Sequence, residues 1–190
     1  MDIRIYPVSP CNADALLIFG WRNDPITCQN SINPNPKIWD QFREEFYSTY
    51  FKNVSLFAEL MGRKVGLVYF THPDCTVSEV GINLEPTARG LGLSKSILKK
   101  AIEYLQSRHP CIDIIQAKIK SSNLPSIRLF RSLGFVENPS GAKASRNDFE
   151  NLSGANENNE QIRNFQLSLV KPDIATSPRS SEPTVSDLIE

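Results

Sequence analysis

Apolar positions along this chain change period several times, and each change marks the edge of an element. Arg4-Ile5-Tyr6-Pro7-Val8 predicts a short opening strand, and the compact apolar stretch from Cys11 to Trp21 predicts a helix that Asn23-Asp24-Pro25 ends. From Ile38 onward Trp39, Phe42, Phe46, Tyr47 and Tyr50 recur at helical spacing, with Asp40, Arg43, Glu44 and Glu45 on the other side, which predicts a second amphipathic helix. Beyond Val54 the residues turn branched and aromatic. Val54–Met61, Val65–Phe70 and Glu79–Leu84, separated by Gly62-Arg63-Lys64 and His72-Pro73-Asp74, predict three consecutive antiparallel strands.

The third of these strands alternates: Val80, Ile82 and Leu84 share one face, Glu79, Gly81 and Asn83 the other. One face can pack and the other can meet a ligand. Glu85 to Gly92 then forms a turn, and Leu93, Ile97, Leu98, Ala101, Ile102 and Leu105 mark a long helix. Asp113–Ile119 predicts another strand, Pro125–Leu133 a short helix closed by Gly134, Phe135-Val136 the start of a strand, and Phe165–Val170 a last one. Between them, residues 138–164 hold seven Asn and few large apolar groups, which predicts a loop insertion. From Pro172 three Pro, four Ser and two Thr fall in 19 residues, too little apolar surface to offset the entropy of ordering, so 172–190 is expected to be a disordered tail behind a single domain over 1–171.

Composition narrows the function. The 190 residues carry 21 Lys+Arg against 21 Asp+Glu, which argues against a protein that coats nucleic acid through a surplus of cations. The longest apolar run, Ala15–Trp21, falls far short of the ~20 residues that span a bilayer, and the opening residues lack the layout of a secretion signal. Cysteines at 11, 28, 75 and 111 have neither paired nor scaffold spacing, and with His72 and His109 they form no metal-ligand pattern. Reduced thiols in a cytoplasm and no metal are the expectation.

Arg89-Gly90-Leu91-Gly92-Leu93-Ser94 lies between a strand end and a helix start, where unpaired backbone N–H groups and the helix dipole favour an anion. Gly90 and Gly92 let the backbone come close. The spacing excludes the nucleotide-triphosphate loop, and the antiparallel surroundings do not match a dinucleotide-binding βαβ unit. Residues 85–131 hold nine Lys or Arg against three Asp or Glu, an excess that suits a polyphosphate, although most of these side chains also read as helix-face solvation; Arg89, held at the turn, is the one assigned to the anion.

Pro86-Thr87-Ala88-Arg89-Gly90-Leu91-Gly92-Leu93-Ser94 resembles the acetyl-CoA pyrophosphate loop of the GCN5-related N-acetyltransferases. Asn123-Leu124-Pro125-Ser126 followed by Leu129–Phe135 resembles the next motif of that family. The resemblance spans residues 3–170 and implies an α/β fold of the α+β kind. Its mixed sheet of six or seven strands, flanked by about four helices, is splayed between the fourth and fifth strands to admit the pantetheine. It implies acetyl-CoA as cosubstrate, held by Leu84, Arg89, Gly90, Leu91, Gly92, Leu93, Ser94 and Asn123, with backbone N–H groups near Asn83 and Leu84 for the thioester carbonyl. Asn123 reads equally as a helix N-cap.

Glu79 is the candidate base, with a solvated strand-end carboxylate as the competing reading. Many members of the family carry Tyr where this chain has Phe130, and Phe has no proton to give, so Ser126 or a water is the candidate substitute. Trp21-Arg22-Asn23-Asp24-Pro25 resembles a signature of the enzymes that acetylate nucleotide-linked amino-deoxysugars and of those that acetylate ribosomal-protein N-termini, the former closer. It places Arg22, Asn23 and Trp39 at the acceptor. Trp39 also reads as a core aromatic, and Arg22 as a helix C-terminal cation. The implied partner is a small-molecule amine rather than nucleic acid or a membrane. A homodimer is left open, and a non-catalytic acyl-CoA-binding module is the alternative that Phe130 raises.

Overall fold

The computed structural model describes residues 2–51, 53–71, 76–138 and 161–169. Seven strands form one sheet in the order β1-β2-β3-β4-β5-β7-β6. They are β1 (Ile3–Pro7), β2 (Val54–Leu60), β3 (Arg63–Thr71), β4 (Val77–Leu84), β5 (Ile114–Lys120), β6 (Val136–Glu137) and β7 (Ile162–Ser168). The helices are α1 (Asn12–Arg22), α2 (Pro25–Asn30), α3 (Trp39–Glu45), α4 (Ser94–Arg108) and α5 (Leu124–Ser132), and α3 runs on into a wider π-type turn, Phe46–Tyr50.

Every strand pair is antiparallel except β4 with β5. That parallel ladder is short: it joins Val77–Glu79 to Ile114–Gln116 and stops, while β4 continues to Leu84 and β5 to Lys120. The two strands part beyond Glu79, so the expected splay between the fourth and fifth strands is present.

The sheet is covered on both faces. Ile97, Leu98, Ala101, Ile102 and Leu105 of α4, with Ile127 and Phe130 of α5, pack on Leu56, Ala58, Val68, Phe70 and Val80. Ala15, Ile18 and Trp21 of α1, with Phe42 and Phe46, pack on Phe57 and Leu67 of the opposite face. Among the described residues no helix is long and apolar enough to cross a membrane.

Several boundaries differ from the expectations, each for a local reason. Asn23-Asp24-Pro25 ends one helix and begins another, which accounts for five described helices against about four expected. The Asp24 carboxylate accepts from the N–H groups of Ile26 and Thr27, and Pro25 takes the first helical turn, where its missing N–H costs nothing. The β2–β3 turn is Met61-Gly62, both at positive φ, the two-residue geometry that matches strand twist, so β3 begins at Arg63.

The Asn-rich insertion ends earlier than expected. Ile162, Arg163 and Asn164 belong to β7 opposite Lys120, Ile119 and Lys118, and Asn138 N–H donates to the Asn164 carbonyl at 2.8 Å. Arg163 also ion-pairs with Glu137, fastening β7 to β6. The rest of the insertion and the 172–190 tail lie outside the described residues.

Candidate functional site

The β3–β4 register determines which side chains meet. Thr71 lies opposite Glu79, Tyr69 opposite Gly81 and Leu67 opposite Asn83. The polar face of β4 therefore continues across β3, while Val80 goes into the core with Ile82 and Leu84 packed against it. A cleft of about 350 Å³ opens over this face and runs through the gap between β4 and β5 to α5. Arg22, Tyr69, Glu79, Lys118, Ser126 and Phe130 are among its lining residues.

Gly81 has a specific function in this surface. A Cβ there would fall 2.1 Å from Tyr69 Cζ and 2.3 Å from its hydroxyl oxygen, so the tyrosine ring lies down over β4 in space that only glycine leaves. Tyr50 stands edge-on to that ring, centroids 6.2 Å apart. Burial first, then the neighbouring charge of Glu79, raises the Tyr69 phenol above its ordinary range, and burial does the same to Tyr50. Both hydroxyls stay protonated at neutral pH and are available as donors. Glu79 is half-buried, and its Oε2 sits 3.0 Å from Lys118 Nζ. It is an ion-paired carboxylate at the point where the strands part.

The backbone along the gap has a definite polarity. Glu85 N–H donates to the Val65 carbonyl, so, by the alternation of antiparallel pairing, Asn83, Gly81 and Glu79 also turn their N–H and C=O groups toward β3. Val80, Ile82 and Leu84 turn theirs toward the gap, where β5 no longer pairs. The donors that face the opening are thus the amides of Ile82 and Leu84, and the Asn83 amide, expected to share this task, belongs to the ladder.

At the far end of β4 the Gly90–Ser94 segment leads into α4. Gly90 and Gly92 have φ of +77° and +73°, and a Cβ at either would meet nothing within 4 Å, so both present open backbone. The first turn of α4 has no side-chain cap and no acidic residue, which leaves its N–H groups for an anion. Leu91 is exposed, whereas the Leu93 side chain is buried in the core, so Leu93 offers only backbone here.

Other candidates are placed differently from the expectation. Arg89 is the main case: its guanidinium is 2.6 Å from the Asp24 carboxylate and 2.8 Å from Thr27 Oγ1, with a longer contact to the Leu84 carbonyl. Its terminal nitrogens are committed to protein groups. Asn23 does not line the cleft, because its side-chain amide brackets the backbone of Lys37, donating at 2.9 Å and accepting at 2.7 Å. Trp39 packs edge-on against Phe19 at 5.2 Å and beside Phe42, in the aromatic cluster of the α1–α3 face rather than in the cleft. Arg22 does line the cleft, donating to the Asn33 carbonyl at 2.6 Å. Asn123 lines it too, while its side chain caps α5 by accepting from the Ser126 N–H at 3.2 Å.

Tyr50, Tyr69 and Thr27 also line the cleft, and no motif in the sequence singles them out. The alternation of β3 puts Tyr69 on the cleft face only once the hairpin register is known, and its small partner Gly81 is the one sequence signal that could have pointed to it.

The model of the Acetyltransferase (GNAT) family matches residues 20–135. The chain belongs to that family. It is 29% identical over 108 residues to the mycothiol acetyltransferase of Thermomonospora curvata. That alignment covers 55% of this chain and 36% of the relative, so the chain matches about a third of the relative's length. The spermidine N-acetyltransferase of Vibrio cholerae, solved with CoA and spermine, superposes with a TM-score of 0.71 at 15% identity, over 89% of this chain and 96% of that one. The ribosomal-protein-alanine N-acetyltransferase of Brucella melitensis superposes at 0.65 and 21% identity, over 87% and 99%. At these identities the likeness is one of fold.

The family's cosubstrate is acetyl-CoA, and the residues present fit it: open glycine backbone and an uncapped helix start for the pyrophosphate, and beside them a strand edge that is unpaired among the described residues for the pantetheine.

Proposed function

We propose that this GNAT domain moves an acetyl group from acetyl-CoA to a primary amine, and that the amine belongs to a nucleotide-linked amino-deoxysugar. The observation that carries the first half is the early end of the β4–β5 ladder at Glu79 and Gln116, with an anion-ready loop at one end of the gap and an ion-paired carboxylate at the other.

Bound acetyl-CoA supplies an activated thioester; the rest is done by this chain's own groups. The amides of Gly90–Ser94 and the start of α4 hold phosphate oxygens. The N–H groups of Ile82 and Leu84, aimed into the gap, stabilise charge that develops on a carbonyl oxygen there. Glu79 takes the proton that the acceptor amine must lose, directly or through water, and Lys118 keeps that carboxylate in place. Phe130 is buried edge-on against Phe135 and offers no proton, whereas Ser126 brings a hydroxyl to the same wall.

The acceptor half rests on the character of the cleft. Lys37 pairs with Glu45, and Lys118 with Glu79, so those charges cancel; among the described lining residues Arg22, which donates to the Asn33 carbonyl and to Cys28 Sγ, is the cation whose charge no carboxylate offsets, beside amides and the rings of Tyr50 and Tyr69. Such a wall suits a hydroxylated ring carrying a phosphate better than a polycation, which calls for uncompensated carboxylates.

The test is CoA release measured with a uridine-diphosphate-linked amino-deoxysugar, spermidine and an alanine-starting peptide in parallel, with products identified by mass spectrometry. Turnover with the sugar nucleotide is the expected result. Turnover only with another amine would remove the acceptor assignment, and acetyl-CoA binding without CoA release from any amine would make the domain a binding module.

A further inference from the structure

Arg89 stands at the first position of the cofactor loop, yet its side chain faces helix α2. The Asp24 Oδ1 that receives it at 2.6 Å also accepts from the N–H groups of Ile26 and Thr27, each at 3.1 Å. The Thr27 hydroxyl that receives the other terminal nitrogen at 2.8 Å lies 3.2 Å from Asn83 Oδ1 on β4. At the opposite end of the same helix the buried ammonium of Lys120, the last residue of β5, donates to the Gln29 carbonyl at 3.0 Å. One end of α2 is therefore tied to β4 and the other to β5, across the place where those strands have separated. From this span α2 supplies Thr27 and Asn30 to the cleft wall, and Ser31, Ile32 and Asn33 follow directly after it.

A six-residue helix cannot hold its own shape in water. Its position is imposed by these anchors. The Asp24 carboxyl records the tie: burial pushes it up, but the Arg89 hydrogen bond, the two amides and the Arg89 charge outweigh that and hold it below the usual carboxylate range. Arg is required for this task rather than Lys, because a planar fork can meet a carboxylate and a hydroxyl at once.

We propose that Arg89 and Lys120 are positioning residues for the acceptor site: they fasten α2 as a bridge across the splayed strands, and Arg89 contributes to acceptor binding rather than to holding the pyrophosphate. The inference rests on the transferase reading, and its test separates the two.

Arg89→Met is compared with wild type for acetyl-CoA affinity by calorimetry, for KM and kcat with the uridine-diphosphate-linked amino-deoxysugar, and for amide exchange across residues 25–33. The expected result is an acetyl-CoA Kd within about threefold of wild type, an acceptor KM raised about tenfold or more, and faster exchange in α2. Arg89→Lys should fall between the two. A phosphate ligand would give the opposite split, a Kd for acetyl-CoA weakened tenfold with acceptor KM and exchange unchanged, and that result overturns the proposal.

If Arg89→Met fails to fold, Thr27→Val removes the hydroxyl between Arg89 and Asn83 at constant shape; an unchanged acceptor KM in that variant also overturns it. If wild type binds acetyl-CoA but acetylates nothing, the transferase reading fails on its own. The Kd and exchange comparison then still decides whether Arg89 holds the bridge or the phosphates.

Discussion

Gly81→Ala tests whether the tyrosine wall of the cleft matters. The added Cβ would lie 2.1 Å from Tyr69 Cζ, against about 3.5–4.0 Å for relaxed carbon contacts, so the ring must retreat by roughly 1.5 Å or leave its rotamer. The clashing atoms are the far end of a side chain that can swing, so the fold has a cheap escape. An off-rotamer tyrosine costs about 0.5–1.5 kcal/mol, while replacing glycine with alanine restricts the unfolded chain and returns about 0.4–1 kcal/mol. Net stability should stay within about 1 kcal/mol of wild type by those figures.

Activity should not be spared in the same way. The displaced hydroxyl and ring sit beside Glu79 at the opening of the strands, and a misplacement of about 1 Å at a reacting centre can cost about a hundredfold. A fall of about 10- to 100-fold in kcat/KM with a near-normal Tm is expected on that basis. Tyr69→Ala supplies the control: once the ring is gone, adding Gly81→Ala should cost little more, a clear departure from additivity. Wild-type kcat/KM in Gly81→Ala would refute the role given to Tyr69. A loss of more than about 3 kcal/mol would refute the claim that the ring can move aside.

Three further outcomes are expected. Gly92→Asp should abolish the thermal shift given by acetyl-CoA, since it adds a negative charge at the open backbone of the loop, while strain at positive φ costs only about 1–2 kcal/mol of stability; calorimetry checks the binding and a melt the fold. Glu79→Gln should lower kcat/KM at neutral pH and recover as pH rises and more acceptor amine is already neutral, and Phe130→Tyr should hold or raise kcat; rate profiles across pH for both variants decide, and a Glu79→Gln enzyme matching wild type at every pH removes Glu79 from the mechanism. Because, against burial, the Arg89 guanidinium and the amides of Thr27 and Ile26 hold the Asp24 carboxyl below the usual carboxylate range, its contribution is complete above that range and lost as pH falls through the lowered value; the Tm gap between wild type and Asp24→Asn should therefore be present at neutral pH and close in acid.

The parts of the site made of backbone were legible in the sequence, and those made of side-chain partnerships were not. Gly90 and Gly92 announce a positive-φ turn because few other residues adopt one cheaply, and the strand-turn-helix order around them follows from a change of period. The alternation of Glu79, Gly81 and Asn83 likewise puts three residues on one face of β4, and all three line the cleft. Helix α2 escaped because six residues are too few for a helical period to register and because Asp-Pro signals an end as readily as a beginning. Asn138 and Asn164 resemble loop residues by type, yet they are joined across a strand edge. Asn23 is placed at the acceptor by resemblance to a signature, which does not reveal that its side chain brackets Lys37, whereas the helical spacing of Trp39 already allows the core aromatic that the structure shows.

The cation excess is a less direct guide, for a related reason. The excess of cations between residues 85 and 131 suits a polyphosphate, yet most of these side chains have protein partners. Arg89 holds Asp24, Lys118 holds Glu79, Arg131 holds Glu137, Lys99 faces Glu103, and Lys100 and Lys120 donate to the carbonyls of Ile3 and Gln29. The anion site proposed for the Gly90–Ser94 turn does not depend on them. Its donors are main-chain amides fixed by two glycines and the uncapped start of a 15-residue helix, and their dipoles are aligned by the fold itself. That frees Arg89, at the head of the loop, to hold α2 across the gap, so one short segment can present its backbone to the phosphates and its side chain to the acceptor wall.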